Sequence, residues 1–563
     1  MSIEKWHNAK QYFLLSEGKS MVLCCLYFLL IFAPLFVHVD KLCAAKFLPE
    51  KPIVVVICSY NNREWVANNL DSVFNQQYEN YRVIYVDDGS NDGTGAFVEN
   101  YKEQHGYTDK LLLIKNTCRK RKLANIYKAL YLCEDREIVI MLDGDDWLAH
   151  DTVFSTINEI YQTKDVWFTY GQYVNVPAAE AHKWGFDQMG YCAPVSEAVI
   201  QRHTYRRGRF VYMHMRSFYA WLFKQIKLED LIAHTVTGYE GNFYPASNDL
   251  AMYFPIVEMA HTRTLFIPDV LYIRNLYSDL VGFKIDATLQ QQSAMEIRYQ
   301  KKPYPILKYP VYKNIERYRN NKATLCVVLE SDFSKLEDFL NNVVQNINNL
   351  EDILVFFKLD RINQRLVRSL QKNFPQCRFI YYDTIRNGFK NTLISYLKQA
   401  QNNHIFFTTM DALVCEFFDA GDMIYWLERT QAHAFYTTKE VPSLDLYPAW
   451  MLPIDDTVFV WKFEFGKEVW PQVYTAQMTL YQKKNLVHFL QAIDFNNVEN
   501  LLVQLNKIKL PLDKIGIFYE KAKVQTSRTS LNSHDQVGHE NNQNLPLPYS
   551  FSTQFFQKID NLS

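Results

Sequence analysis

Ile138-Val139-Ile140-Met141-Leu142-Asp143-Gly144-Asp145-Asp146-Trp147 is the stretch that decides how this chain reads. Its uninterrupted apolar run is the pattern of a strand buried on both faces of a parallel sheet. The three carboxylates at the exit repel one another, so they require a compensating cation or a long solvated loop. Oxygen-only ligands fit a hard divalent ion. A second acidic exit lies upstream, where Val83-Ile84-Tyr85-Val86 runs into Asp87-Asp88-Gly89-Ser90-Asn91-Asp92-Gly93. Both exits are expected at the carboxyl edge of one parallel sheet, where open α/β folds bind ligands. In outline this is a site for a nucleotide diphosphate.

Around these exits the chain alternates strand and helix. Pro52 introduces the β-branched run Ile53-Val54-Val55-Val56-Ile57-Cys58, and the spacing predicts helices over 65–74, 94–104 and 123–133. Strands are predicted over 82–86, 110–115 and 137–142, which gives βαβ units with right-handed crossovers. A further helix (152–162) and strand (166–170) lead into an irregular, aromatic-rich region to about residue 285. Residues 290–321, rich in Lys, Arg, Tyr and Pro, read as a linker with a boundary near 310. Beyond it the pattern recurs: Cys326-Val327-Val328-Leu329-Glu330-Ser331 echoes Val54 to Ser59, and Phe406-Phe407-Thr408-Thr409-Met410-Asp411-Ala412 echoes Val139 to Gly144. Repetition at this scale implies duplicated domains. In the second copy the acidic cluster shrinks to Asp411 followed by Ala412-Leu413-Val414, which cannot hold a metal in the same way and suits a structural or acceptor-binding role. The expected layout is an N-terminal segment (1–20), an anchor (21–39), a catalytic α/β domain (50–310), a degenerate α/β domain (320–525) and a polar tail (526–563).

Composition narrows the function. With 48% apolar residues a disordered chain is excluded, and a formal net charge of -1 leaves no global field for nucleic acid. The cysteines form no Cys-x-x-Cys pair and suggest a reducing compartment rather than a disulfide framework. A single Asn-x-Ser/Thr triplet, Asn561-Leu562-Ser563, argues against heavy glycosylation. Met21 to Val39 is uncharged and apolar over about the length of a membrane span, so a single membrane anchor is expected there. The alternative is a signal peptide cleaved near Cys43-Ala44-Ala45. Flanking lysines are balanced and set no orientation. The cysteines and the sequon count place the first α/β domain on the cytosolic side of a bacterial inner membrane, with the Golgi lumen as the alternative.

Three motifs stand in order: Ser59-Tyr60-Asn61-Asn62 after the first strand, Val86-Asp87-Asp88-Gly89-Ser90-Asn91-Asp92-Gly93-Thr94 after the second, and Leu142-Asp143-Gly144-Asp145-Asp146 after the fourth. In this combination residues 52–285 resemble the family 2 glycosyltransferases, inverting enzymes with the GT-A fold, a Rossmann-like α/β fold with a mostly parallel sheet. The resemblance implies a metal-dependent transfer of a sugar from a nucleotide-diphosphate donor, a UDP-sugar first among them, to a glycan or lipid-linked acceptor.

Residue by residue, Ser59, Tyr60 and Asn61 offer a flat ring and hydrogen-bonding groups where the base would lie. Asp88 matches the family's carboxylate against the base, and Asp87 supports the loop, although both also suit a plain acidic turn. Asn125, after the basic run Arg119-Lys120-Arg121-Lys122, faces the same cleft if the helical register holds. Asp143 and Asp145 are two apart on an extended exit and point to one side, so one meets the ribose and the other the metal, Mn2+ or Mg2+, with Asp143 and Asp145 together as the metal pair. Asp146 assists or merely flanks. Asp249 is the candidate general base, at a position where the family carries an acidic pair; here Asn248 precedes it, and a helix-capping role competes. His214 and Arg216 suit phosphate or acceptor contacts, or a satisfied core pair. Trp147, Trp167 and Trp221 suit sugar stacking or core packing. A nucleotidyltransferase is disfavoured, because no Gly-rich phosphate loop follows the first strand. A non-catalytic glycan-binding or scaffolding protein of the same fold is the other reading.

Overall fold

A computed structural model describes residues 48–526, apart from 184–186, 278–286, 313–314, 330–332, 359–362, 383–387, 442–449, 456, 467–469, 471–473 and 508–513. The expected N-terminal segment, the anchor at 21–39 and nearly all of the polar tail lie outside the described residues. The expectation of a membrane-spanning helix is corrected. No helix among the described residues is long and apolar enough to cross a membrane, and the longest, Asn248–Ala260 and Ala287–Tyr299, have 13 residues where a span needs about 20.

The first sheet contains eight strands: β1 (Ile53–Ser59), β2 (Tyr81–Asp87), β3 (Leu111–Lys115), β4 (Ile138–Asp143), β5 (Trp147–Leu148), β6 (Phe168–Val176), β7 (Arg216–Tyr219) and β8 (Thr264–Asn275). Their order is β3-β2-β1-β4-β7-β6-β8-β5. The first four are parallel, as the βαβ spacing predicts. β7 then runs antiparallel to both β4 and β6. The packing of β1 explains why its sequence has no polar position before Ser59. Ile53, Val55 and Ile57 pack on one face with Val66, Leu70 and Val73, whereas Val54 and Val56 pack on the other with Leu123, Ile126 and Leu130. A strand covered by helices on both sides must be apolar at every residue. Register then aligns the polar exits, with Ser59 beside Asp87 and Cys58 beside Asp143.

Residues 323–519 form a nine-stranded sheet. Its core, Cys377–Tyr382, Leu350–Lys358, Ala323–Val328 and His404–Thr408, is parallel and repeats the spatial order of β3-β2-β1-β4. Thr479–Gln482 and Ala434–Tyr436 follow with the antiparallel sense of β7 and β6, and Ile515–Tyr519 lies parallel to the latter, as β8 does to β6. One apolar cluster runs from Val54 and Leu123 through Ala323 and Trp426. At this junction the Arg429 guanidinium lies 4.3 Å from the Tyr131 ring centre and 4.6 Å from that of Trp426, and Tyr131 Oη donates to the Arg429 carbonyl at 2.9 Å. A charge so placed is held by ring faces rather than by water.

The predicted linker proves shorter than its composition suggests. Ala287–Tyr299 is a helix with Ser293, Glu296 and Ile297 buried. Glu296 anchors it by accepting from the His234 and Thr235 amides, the Thr235 hydroxyl and the Tyr244 hydroxyl. A second buried anchor holds the helix Asn248–Ala260, where Glu258 takes a bidentate pair from Arg206 at 2.6 and 2.9 Å and the Tyr304 amide at 2.9 Å. Both side chains of this ion pair are nearly inaccessible, at 6% and 1%. Glu258→Ala would strand the Arg206 charge in the interior, so we expect a loss of about 3–5 kcal/mol. The midpoint of thermal unfolding checks it: a variant melting with the wild type would show that the pair contributes nothing net.

Candidate active site at the carboxyl edge of the first sheet

Three loops leave the sheet side by side and lock into one another. Ser59 is buried at the end of β1, and its carbonyl accepts from the Asp88 amide at 2.9 Å. Asn61, held at φ 52°, receives the Asn91 amide on its side-chain oxygen at 3.0 Å and donates its own amide to Ser90 Oγ at 2.9 Å. Tyr60 lies under the Arg119 guanidinium, 3.9 Å from the ring centre. Asp87 accepts from the Ser90 amide and hydroxyl. Asp88 is buried and takes three donors: Asn116 Nδ2 at 3.0 Å, the Lys120 amide at 2.7 Å and the Arg121 amide at 2.9 Å. It therefore ties the loop of basic residues to β2. Asn116 also donates to Asn125 Oδ1 at 2.7 Å, while the buried Asn125 Nδ2 has no partner among the described residues. Asn125 thus belongs to the same cleft.

The acidic turn after β4 is pinned from behind. Asn69 Nδ2 donates to the carbonyls of Asp143 and Asp146 at 2.9 and 2.7 Å. Gly144 sits where a Cβ would lie 2.6 Å from Ser59 Cβ and Oγ, so the turn can meet β1 only without a side chain. Asp143 is gripped by Lys122 Nζ, 2.7 and 2.9 Å from its two oxygens. Burial pushes the Asp143 carboxyl up, but the charge and hydrogen bond of Lys122, with Arg216 and Arg274 further off, hold it below the usual range. Asp146 is buried, accepts Tyr272 Oη at 2.6 Å and the Asn275 amide at 2.7 Å, and is raised well above the usual range by burial and by the neighbouring charges of Asp145 and Asp143. Asp145 is half-buried on the same turn.

His214 stacks on Tyr272 with ring centres 4.3 Å apart. Burial, and then the charges of Arg216 and Arg274, keep it neutral by lowering its pKa well below the usual value. One ligand atom each from Asp143, Asp146 and His214 fall within 4.8 Å of one another. Two carboxylates and a neutral imidazole make a donor set that suits Mn2+, and Mg2+ less well because of the nitrogen. The metal pair expected from sequence is Asp143 with Asp145; the structure also brings Asp146, from the same turn, and His214, from a distant segment, close to Asp143.

Asp249 lies in the first turn of Asn248–Ala260, where the helix dipole favours a carboxylate. It pairs with Arg216, Nη1 to Oδ1 at 2.9 Å, and Arg216 itself lies 4.5 Å from the Tyr253 ring centre. Burial opposes the Asp249 charge, but Arg216 and then Lys122 hold its pKa down. Lys122, Asp143, Arg216 and Asp249 thus form one alternating charge cluster from four separate elements. Lys122 was visible in sequence only as one of a basic run, and nothing in the sequence singled out Tyr272. Trp167 and Trp221 pack edge to face in the core, whereas Trp147 stacks with Trp65 at 6.5 Å. On the second sheet the corresponding exit carries Asp411, which accepts the Thr409 hydroxyl.

Comparison with known proteins agrees with this geometry. Residues 54–232 match the family model described as Glycosyl transferase family 2. The putative glycosyltransferase EpsE of Bacillus subtilis is 31% identical over 94 residues, 17% of this chain and 33% of its own. Glycosyltransferase GlyG of Streptococcus pneumoniae is 25% identical over 177 residues, 31% and 57% of the two chains. The Escherichia coli UDP-Glc:alpha-D-GlcNAc-diphosphoundecaprenol beta-1,3-glucosyltransferase WfaP is 26% identical over 121 residues, 22% and 45%. The chain therefore spans between a third and just over half of these relatives' lengths. TarS of S. aureus is 16% identical, covers 40% of this chain and 37% of its own, and superposes with a TM-score of 0.30, a likeness that carries no argument. This chain carries a family 2 glycosyltransferase domain.

Because Gly144 meets Ser59 without room for a methyl group, Gly144→Ala should cost about 1–3 kcal/mol by overpacking and displace the Asp143 carboxylate. Thermal unfolding and nucleotide binding, measured together, should both weaken; wild-type values in both would show that the turn accommodates the methyl.

Proposed function

We propose that this protein transfers a sugar from a nucleotide-diphosphate donor, a UDP-sugar, to a hydroxyl of a glycan or lipid-linked acceptor with inversion at the anomeric carbon. The charge cluster of Lys122, Asp143, Arg216 and Asp249 at the carboxyl edge of β1, β2 and β4 is the observation that carries this reading. UDP-glucose and a diphosphoundecaprenol-linked acceptor appear in the name of the relative WfaP, which supports the same donor and acceptor classes here.

In this reading Ser59, Tyr60 and Asn61 receive the base, and Asp88 holds the Arg119–Arg121 loop around it. Asp143, Asp146 and His214, with Asp145 alongside, would hold Mn2+ or Mg2+. Bound there, the ion would supply Lewis-acid stabilisation of the negative charge that collects on the leaving diphosphate. Lys122 adds a fixed positive charge at the same edge, and a preorganised charge is effective because it need not reorient during the reaction. Asp249 takes the proton of the acceptor hydroxyl as its oxygen bonds to the anomeric carbon and the carbon–phosphate oxygen bond breaks. Arg216 keeps that carboxylate ionised and aimed. The second sheet, which repeats the strand order of the first, serves as a copy whose corresponding exit is reduced to Asp411.

Asp249→Asn should depress turnover by on the order of 10²-fold or more while nucleotide affinity stays near wild type, the pattern of a group acting in the transition state. Asp143→Asn should instead abolish the metal-dependent thermal shift with UDP. Hydrolysis of UDP-sugars by the purified protein with Mn2+ is the direct assay. A folded protein that binds no nucleotide and turns over no donor would favour a glycan-binding scaffold and sink the proposal.

A further inference from the structure

A cavity of about 560 Å³ lies between residues 227–305 of the first half and Lys462 and Lys514 of the second. Its volume is in the range of small-molecule sites. Five lysines line it, Lys227, Lys301, Lys302, Lys462 and Lys514, together with the carboxylates Glu229, Asp230 and Glu296. The lining groups thus carry an excess of two positive charges.

The carboxylates are already committed. Both oxygens of Glu296 are taken by the amides, hydroxyls and helix anchoring described above. Asp230 accepts Tyr304 Oη at 2.6 Å. Glu229 is shared by Lys227 at 3.8 Å and Lys514 at 3.4 Å. Glu464, just outside the lining, is held by His234 Nδ1 at 2.8 Å and lies 4.0 Å from Lys462. The lysines are not equally satisfied. Lys301 Nζ donates to the carbonyls of Glu229 and Ile232, each at 3.0 Å, which are dipoles and not charges. Lys302 has no hydrogen bond or ion pair among the described residues. Lys462 has a side chain only 5% exposed and touches His234 at 3.0 Å. Burial, and then the charge of Lys462, lower the pKa of Lys301, so two ammonium groups repel each other across the cavity.

Lysines gathered in this way, beyond what the local carboxylates can neutralise, cost folding energy unless an anion meets them. We propose that this cavity is a binding site for a phosphate monoester, a dianion whose oxygens accept from several ammonium groups at once. Lysine is a point-charge phosphate binder that needs no fixed approach angle. The ligand is a small phosphorylated sugar or a phosphate-bearing chain end, and its site is separate from the donor cleft and independent of the donor chemistry.

Isothermal titration of the full chain tests this, with UDP and Mg2+ present to fill the donor cleft. The probes are inorganic phosphate, glucose 1-phosphate, and glucose as the uncharged control. The wild type should bind both phosphates saturably and not glucose. Lys302→Ala/Lys514→Ala, which removes two partly exposed cations and leaves the buried Lys301 and Lys462 in place, should bind at least tenfold more weakly, and Lys302→Arg/Lys514→Arg should restore most of the affinity. Binding of glucose 1-phosphate but not inorganic phosphate would still place the site, with the sugar contributing. Absence of saturable binding of both phosphates in the wild type, or equal affinity in the alanine variant, would overturn the proposal. UDP binding that survives in all variants separates this outcome from failure of the donor reading.

Discussion

Like charges at the end of one buried strand are the constraint around which the first half of this protein is arranged. Asp143, Asp145 and Asp146 leave β4 within four residues of one another, and burial makes their repulsion more costly than it would be in water. Cations from other elements meet them: Lys122 from the start of a helix, with Arg216 on β7 and Arg274 on β8 acting at longer range. Asp249 then balances Arg216, so that no single charge is left alone. Each partner requires a particular approach of its element to β4.

The supports behind this cluster are themselves buried and polar. Asn69 pins the acidic turn through two carbonyls, Tyr272 joins Asp146 to the stack with His214, and Glu258 with Arg206 fixes the helix that presents Asp249. Such groups hold geometry well because a lost partner leaves an unsatisfied donor or charge in the interior. The apolar cluster that continues into the second sheet gives these supports a rigid base.

Strand and helix positions around β1 to β4 were legible because the local signals agreed. Apolar runs marked strands covered on both faces, and the acidic exits marked the sheet edge. Predicted boundaries fell within one or two residues of those found for most of these elements. The linker was misjudged because Ala287–Tyr299 is polar in composition; its helix is held by Glu296 reaching a distant loop, a contact with no local signature. The expected membrane span was read from apolar length alone, and the longest described helices, of 13 residues, do not reach that length.

The sequence by itself determined that a parallel α/β sheet ends in two acidic turns, since strand burial, helix spacing and carboxylate repulsion are local properties of neighbouring residues. It also named the candidates for chemistry there, Asp143, Asp145, Asp88, Asn125 and Asp249, from residue type and position alone. Only the tertiary structure decided how they are used. Lys122 reaches Asp143, His214 and Asp146 close on the same carboxylate, Arg216 claims Asp249, and Asp88 is committed to the Lys120 and Arg121 amides. Except for Asp146, which shares a turn with Asp143, these partners lie far apart in the chain, and Coulomb and hydrogen-bond energies depend on distances that no local pattern encodes.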